Sequence, residues 1–314
     1  MRASGWRNGV RGVLAATCWL FISWVAMVAC SPASETRATA AADPILTDPA
    51  ITDSANPPDI GELAFSSAGQ RLNGLIYMAN GAGPHPTVVL LHGFPGTEKN
   101  LDLAQAIRRT GWNVLYFDYR GLWGSGGTFT WDNSLKDVSS ALAYARNADT
   151  ARKYRIDPKR LAVVGHSLGG WLAVLTAKAD PGVKCVGLVE VANMGAYGRR
   201  MRTDTAWSRP WRDYMKWLTG PGGPVHADPI ELTESMKRNA DAYDLVNSIG
   251  SLADRHALIV DMKANESHDD LVKVLQGANA RDLKIVVWKT DHSFNDHRLA
   301  LIHEVSDWLG RCAP

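Results

Sequence analysis

From Leu63 onward the chain alternates short β-branched runs with longer stretches of helical periodicity, and that alternation leaves few folds open. Continuous apolar runs suit strands buried on both faces, and strands separated by helices pair in parallel because the chain crosses back over the sheet. The runs at 87–91, 114–117, 161–164, 186–191, 257–260 and 284–288 are the expected core strands, with antiparallel strands at 72–77 and near Leu63. Helical patterns fall at 101–109, 134–146, 169–179, 268–275 and 296–309. In the last of these, Leu299, Ile302, Val305 and Leu309 predict an apolar stripe facing the sheet. The expected architecture is α/β: one domain over 59–314 with a mostly parallel sheet flanked by helices on both faces. Residues 194–253 break the rhythm, being Trp-rich, locally basic and interrupted by Gly220, Pro221, Gly222, Gly223 and Pro224. An insertion of this length between two core strands is expected to form a helical lid over one end of the sheet.

Gly165-His166-Ser167-Leu168-Gly169-Gly170 stands directly after the strand at 161–164 and opens an apolar helix. A serine in such a sharp strand-to-helix turn is raised above the sheet, and the flanking glycines are required because side chains would collide there. Ser167 is therefore the candidate nucleophile; a helix-capping serine between packing glycines is the bland alternative. A serine hydroxyl is a weak nucleophile until an imidazole takes its proton. Of nine histidines, His292 follows the last core strand and so returns to the rim that carries Ser167. His85 and His256 lead into strands at the opposite end, His297 and His303 lie on the final helix, and His166 is expected to be structural.

Four segments in order, His92-Gly93-Phe94-Pro95-Gly96, the stretch 117–127 (FDYRGLWGSGG), GHSLGG and Thr290-Asp291-His292-Ser293-Phe294, resemble the α/β-hydrolase superfamily. Within it the likeness is to prolyl-oligopeptidase-like and dienelactone-hydrolase-like serine hydrolases, and it runs from about Gly74 to Leu309. The resemblance implies hydrolysis of carboxylic ester or amide bonds through an acyl-enzyme on Ser167, with the backbone N–H groups of Phe94 and Leu168 as oxyanion hole. It also implies a Gly-x-x-Asp after the strand at 257–260, where this chain reads Asp261-Met262-Lys263-Ala264-Asn265-Glu266. Asn265 thus falls at the acid position, and an amide there would hold the wrong imidazole tautomer. Glu266, one residue on, is the expected acid; Asp261 and Glu190 are the other candidates. The amide also keeps open a non-catalytic lipoprotein that uses the fold as a binding or scaffolding module.

Arg2, Arg7 and Arg11 precede an uncharged apolar run over 13–29 that ends at Cys30, the layout of an export signal. Met27-Val28-Ala29-Cys30 resembles the bacterial lipoprotein box, although Met27 stands where leucine is usual, and Cys30 is the expected lipidation site. The expected organisation is a signal over 1–29, a flexible tether over 30–58 rich in Ala, Ser, Thr, Asp and Pro, and an exported, membrane-anchored domain on the periplasmic or cell-surface side. Cys185 and Cys312 then remain, either as a disulfide or as two buried thiols. Thirty-four basic against thirty-two acidic residues give a net charge of +2, which argues against a nucleic-acid partner, while the substrate that the resemblance implies is a small ester or peptide. No His, Cys or carboxylate set shows metal-ligand spacing, and no cofactor is expected.

Overall fold

The computed structural model describes residue 43, residues 45–48 and residues 52–312. The signal, Cys30 and most of the tether lie outside the described residues. Eight strands form one sheet in the order β1-β2-β4-β3-β5-β6-β7-β8. The antiparallel pair β1 (Asp59–Ser67) and β2 (Gln70–Met78) leads into the parallel strands β3 (His85–Leu91), β4 (Asn113–Phe117), β5 (Ile156–His166), β6 (Cys185–Val189), β7 (His256–Met262) and β8 (Leu283–Trp288).

Side-chain alternation along β3 divides the interior into two cores. Val89 and Leu91 join the core formed with α2 (Trp131–Arg146) and α4 (Leu168–Ala179). Val88 and Leu90 join the opposite core, with α1 (Leu101–Arg109) and α9 (Arg298–Gly310). Both faces of the sheet are therefore covered, as the apolar runs predict. One helix escapes that reading: α3 (Ala148–Tyr154), a short element started by the Asn147 side chain accepting from Asp149 and Thr150 N–H. In α9 the buried face is Leu301, Ile302, Val305, Trp308 and Leu309, while Leu299 is 57% exposed. At 3.6 residues per turn, Leu299 lies about 120° round the helix from Val305, off the stripe assigned to it from sequence.

Part of the expected tether packs on the domain. Ile45 is buried in the α1/α9 core and its carbonyl accepts from Arg109. Asn80 accepts from Thr52 N and Oγ1 and donates to the carbonyls of Asp53 and Asn56. Cys185 and Cys312 form a disulfide across 6.1 Å between Cα atoms, closing a loop of 127 residues at the bottom of the sheet.

The insertion between β6 and β7 folds as α5 (Met194–Thr203), α6 (Thr205–Thr219) and α7 (Pro229–Arg238), followed by two 3₁₀ turns. α8 (His268–Gly277) then separates β7 from β8. The insertion is tied down by buried indoles, Trp131 donating to Leu232 O and Trp171 to Tyr243 O.

Candidate active site

β5 delivers Ser167 at φ 56° and ψ −116°, a left-handed turn that costs an L-residue about 1–3 kcal/mol. The turn survives because it is stitched on both sides: Ser167 N donates to Val189 O, and Ser167 O accepts from Ala192 N. Glycine is obligatory around it. A Cβ on Gly165 would lie 2.0 Å from Gly169 O, and one on Gly169 would lie 2.2 Å from Leu91 O. Leu168 is the first residue of α4, so its N–H is one of the donors the helix cannot satisfy itself.

Phe94 follows β3 on the loop beside this turn. Gly93 approaches so closely that a Cβ there would meet Ser167 Cβ at 3.0 Å. The loop is braced by Tyr119 OH donating to His92 O, by Trp123 Nε1 donating to Pro95 O, and by the Phe94 ring against Phe129 and Trp131. His92 is wholly buried, and that burial pulls its imidazole down to about 4. Arg120 is buried on Asp137, which accepts from its Nε and backbone N.

Ser167, His292, Gly93 and Phe94 line one small cavity of about 70 Å³. No hydrogen bond joins Ser167 Oγ to the imidazole in this state; such contacts often tighten only with substrate. His292 is fixed through its backbone: His166 Nε2 lies 2.9 Å from its carbonyl oxygen and the two rings are 4.8 Å apart. That contact makes Nε2 the protonated nitrogen of His166. Burial, reinforced by His292, lowers this imidazole to about 3, so it stays neutral.

The carboxylate that approaches His292 is Glu190, whose Oε1 lies 3.8 Å from Nδ1. Glu190 follows β6 at φ 46° and is 4% exposed. Its second oxygen accepts from Met262 N at 2.7 Å, which leaves Oε1 toward the imidazole. Glu266, the acid expected from sequence, does not reach His292: its carboxylate is exposed and paired with Arg200 of α5 at 2.9 Å. Asn265, which falls where the resemblance implies the acid, spends its amide on Val191 O and Asp261 Oδ1.

Asp261 is buried and serves a different histidine. Its Oδ2 is 2.6 Å from His268 Nδ1, and its Oδ1 accepts from Val191 N at 3.3 Å. The ends of β6 and β7 thus clasp each other, Glu190 holding the N–H after Asp261 and Asp261 holding the N–H after Glu190. Burial raises the Asp261 carboxyl above its usual range, and the hydrogen bond to Asp261 raises His268. The role of His268 is invisible in sequence, where it merely begins a helix.

His292 also opens onto a second cavity, of about 310 Å³, under the lid; its walls include Glu190, Tyr197, Trp207, Trp211 and Glu266. Trp207 and Trp211 therefore face the site, whereas Tyr214 and Trp217 on the same helix are exposed. A larger cavity of about 480 Å³ near β1, β2 and Asp118 touches neither Ser167 nor His292, so size alone does not locate the chemistry here. Among the described residues no three His, Cys, Asp or Glu side chains gather as a metal site.

The sequence model of the alpha/beta hydrolase family matches residues 88–308. The quorum-quenching protein AidA of Acinetobacter baumannii is 31% identical over 125 residues, 38% of this chain and 40% of AidA. The chain thus spans about two fifths of the length of that curated relative. Among solved structures, ferulic-acid-bound Est1E of Butyrivibrio proteoclasticus superposes with a TM-score of 0.58 at 16% identity, covering 80% of this chain and 98% of Est1E. An esterase of Pyrococcus furiosus gives a TM-score of 0.57 at 16% identity, covering 83% and 93%. These likenesses concern the fold. With the family match extending over most of its length, the chain belongs to the alpha/beta hydrolase family.

Proposed function

We propose that this protein is a serine hydrolase that cleaves carboxylic ester or amide bonds through an acyl-enzyme on Ser167. One observation carries the reading: Ser167, held in a strained and glycine-tight turn, shares a cavity with His292, and Glu190 stands 3.8 Å behind that imidazole. Ser167 Oγ attacks the substrate carbonyl as His292 Nε2 takes its proton. The Phe94 and Leu168 N–H groups hold the resulting oxyanion, and each such donor contributes about 3 kcal/mol to transition-state stabilisation. His292 then returns the proton to the leaving group, the C–O or C–N bond breaks, and water repeats the sequence to release the acid. Glu190 orients the imidazole and offsets its transient charge. With that carboxylate in place, the amide at Asn265 no longer favours a non-catalytic module.

The test is labelling by a fluorophosphonate probe. Wild type should be modified on one serine and Ser167→Ala should not; a folded wild type that takes no label refutes the reading. The same proposal includes export and a lipid on Cys30, with the domain on the outer side of a bacterial membrane. Mass spectrometry of the mature amino terminus checks this, and an unmodified Cys30 refutes it.

A further inference from the structure

We propose that the lid cavity binds an uncharged aromatic ring of the substrate, an assignment that rests on the Ser167–His292 reading. The cavity is placed for it, since His292 forms part of both its wall and that of the Ser167 cavity. Its volume, about 310 Å³, suits a compact group. Three aromatic rings line it besides the His292 imidazole. Trp207 and Trp211, one helical turn apart on α6, lie within 9° of parallel with centroids 6.3 Å apart, and Tyr197 of α5 stands 5.8 Å from Trp207. Such π-faces favour a flat partner, and the guanidinium of Arg200 already lies over Trp207 at 5.0 Å. A ring also loses less freedom on entry than an alkyl chain of similar size.

Charge selects against an anionic ring. Glu190 and Glu266 both line the cavity. Arg200, the cation beside them, is committed to Glu266 at 2.9 Å and to Asp204 at 3.7 Å. A carboxylate on the substrate would meet two like charges and a guanidinium already in use. The ring can belong to the acyl or to the alcohol portion, because both pass close to His292 as the bond breaks.

Ester hydrolysis by the full chain separates these cases. Ethyl cinnamate places a ring on the acyl side and phenethyl acetate on the alcohol side; ethyl octanoate and ethyl acetate carry none. One aryl ester should exceed ethyl octanoate in kcat/KM by about tenfold, equivalent to 1.4 kcal/mol. Trp207→Leu and Trp211→Leu should lower the aryl rate about tenfold more than the ethyl acetate rate. Preference for octanoate overturns the proposal, as do variants that label with fluorophosphonate yet slow every ester equally. If a variant fails to fold, the wild-type ester panel decides alone. A wild type that resists the probe removes the underlying reading, and this one with it.

Discussion

The two rims of the crevice that holds Ser167 and His292 are built by different physics. On the Ser167 side the chain is positioned by backbone close approach: Gly165 and Gly169 have no room for a Cβ, a Cβ on Gly93 would press on Ser167 at 3.0 Å, and Ser167 is carried in the bend they permit. On the acid side position comes from charged side chains exchanged between β6 and β7, with Glu190 on Met262 N, Asp261 on Val191 N, and His268 on Asp261. Steric necessity acts between near neighbours in the chain and leaves a contiguous motif. A polar clasp joins residues about seventy positions apart and leaves none.

Exchanging the carboxylates near His292 should have the largest effect. Glu190→Gln should lower kcat about 10³- to 10⁴-fold, or 4–5.5 kcal/mol, because an amide facing Nδ1 no longer selects the productive tautomer. Glu266→Gln, which removes an exposed pair with Arg200 at the cavity wall and leaves Glu190 beside His292, should stay within about threefold of wild type on an uncharged ester. Steady-state rates on one ester decide between them. A severe loss in Glu266→Gln with an active Glu190→Gln would return the acid to the loop after β7.

That contrast explains how far the sequence could be read. The strand-helix alternation, the glycine turn and the loop at His92–Gly96 were legible because each is local, and Ser167 and His292 line one cavity. The acid was not. The resemblance implies an acid after β7, at Asn265 or Glu266, while the carboxylate beside His292 follows the neighbouring strand, at Glu190. Nothing near Glu190 in the chain distinguishes it from an ordinary strand-end carboxylate, since its partners are Met262 and His292. Leu299 failed for a different reason: apolar spacing sets a period, and one member can still sit beyond the edge of the buried arc.

The clasp itself predicts a smaller, pH-dependent effect. His268→Gln leaves buried Asp261 without its cation and should cost about 1–3 kcal/mol, less than a fully buried pair because the imidazole is 16% exposed. His268 is raised in the folded protein, so its contribution is complete below the unfolded value near 6.5. It fades as pH climbs through the raised folded value. Urea midpoints of wild type and variant should therefore differ most on the acid side of neutrality and converge at alkaline pH. A gap that widens with pH would mean that Asp261 is held without help from a charged His268.

His166 tests the nucleophile side, with the opposite sign. Its imidazole is held near 3 when folded and returns to about 6.5 when unfolded, so between those values the unfolded chain binds the extra proton. Stability is then fully present above about pH 6.5 and declines as pH falls toward 3, by at most about 1.4 kcal/mol per pH unit for one group. His166→Phe keeps a ring in the site but removes that proton, so its stability should fall less steeply than wild type between pH 6 and 4. It also removes the donor to His292 O, and kcat should drop about tenfold, the worth of one hydrogen bond. KM should change little, since His166 is 4% exposed and adds only a buried edge to the cavity that holds Ser167. Equal acid slopes in the two proteins would mean that residue 166 accepts a proton in the folded state, and the neutral donor assigned to it would have to be abandoned.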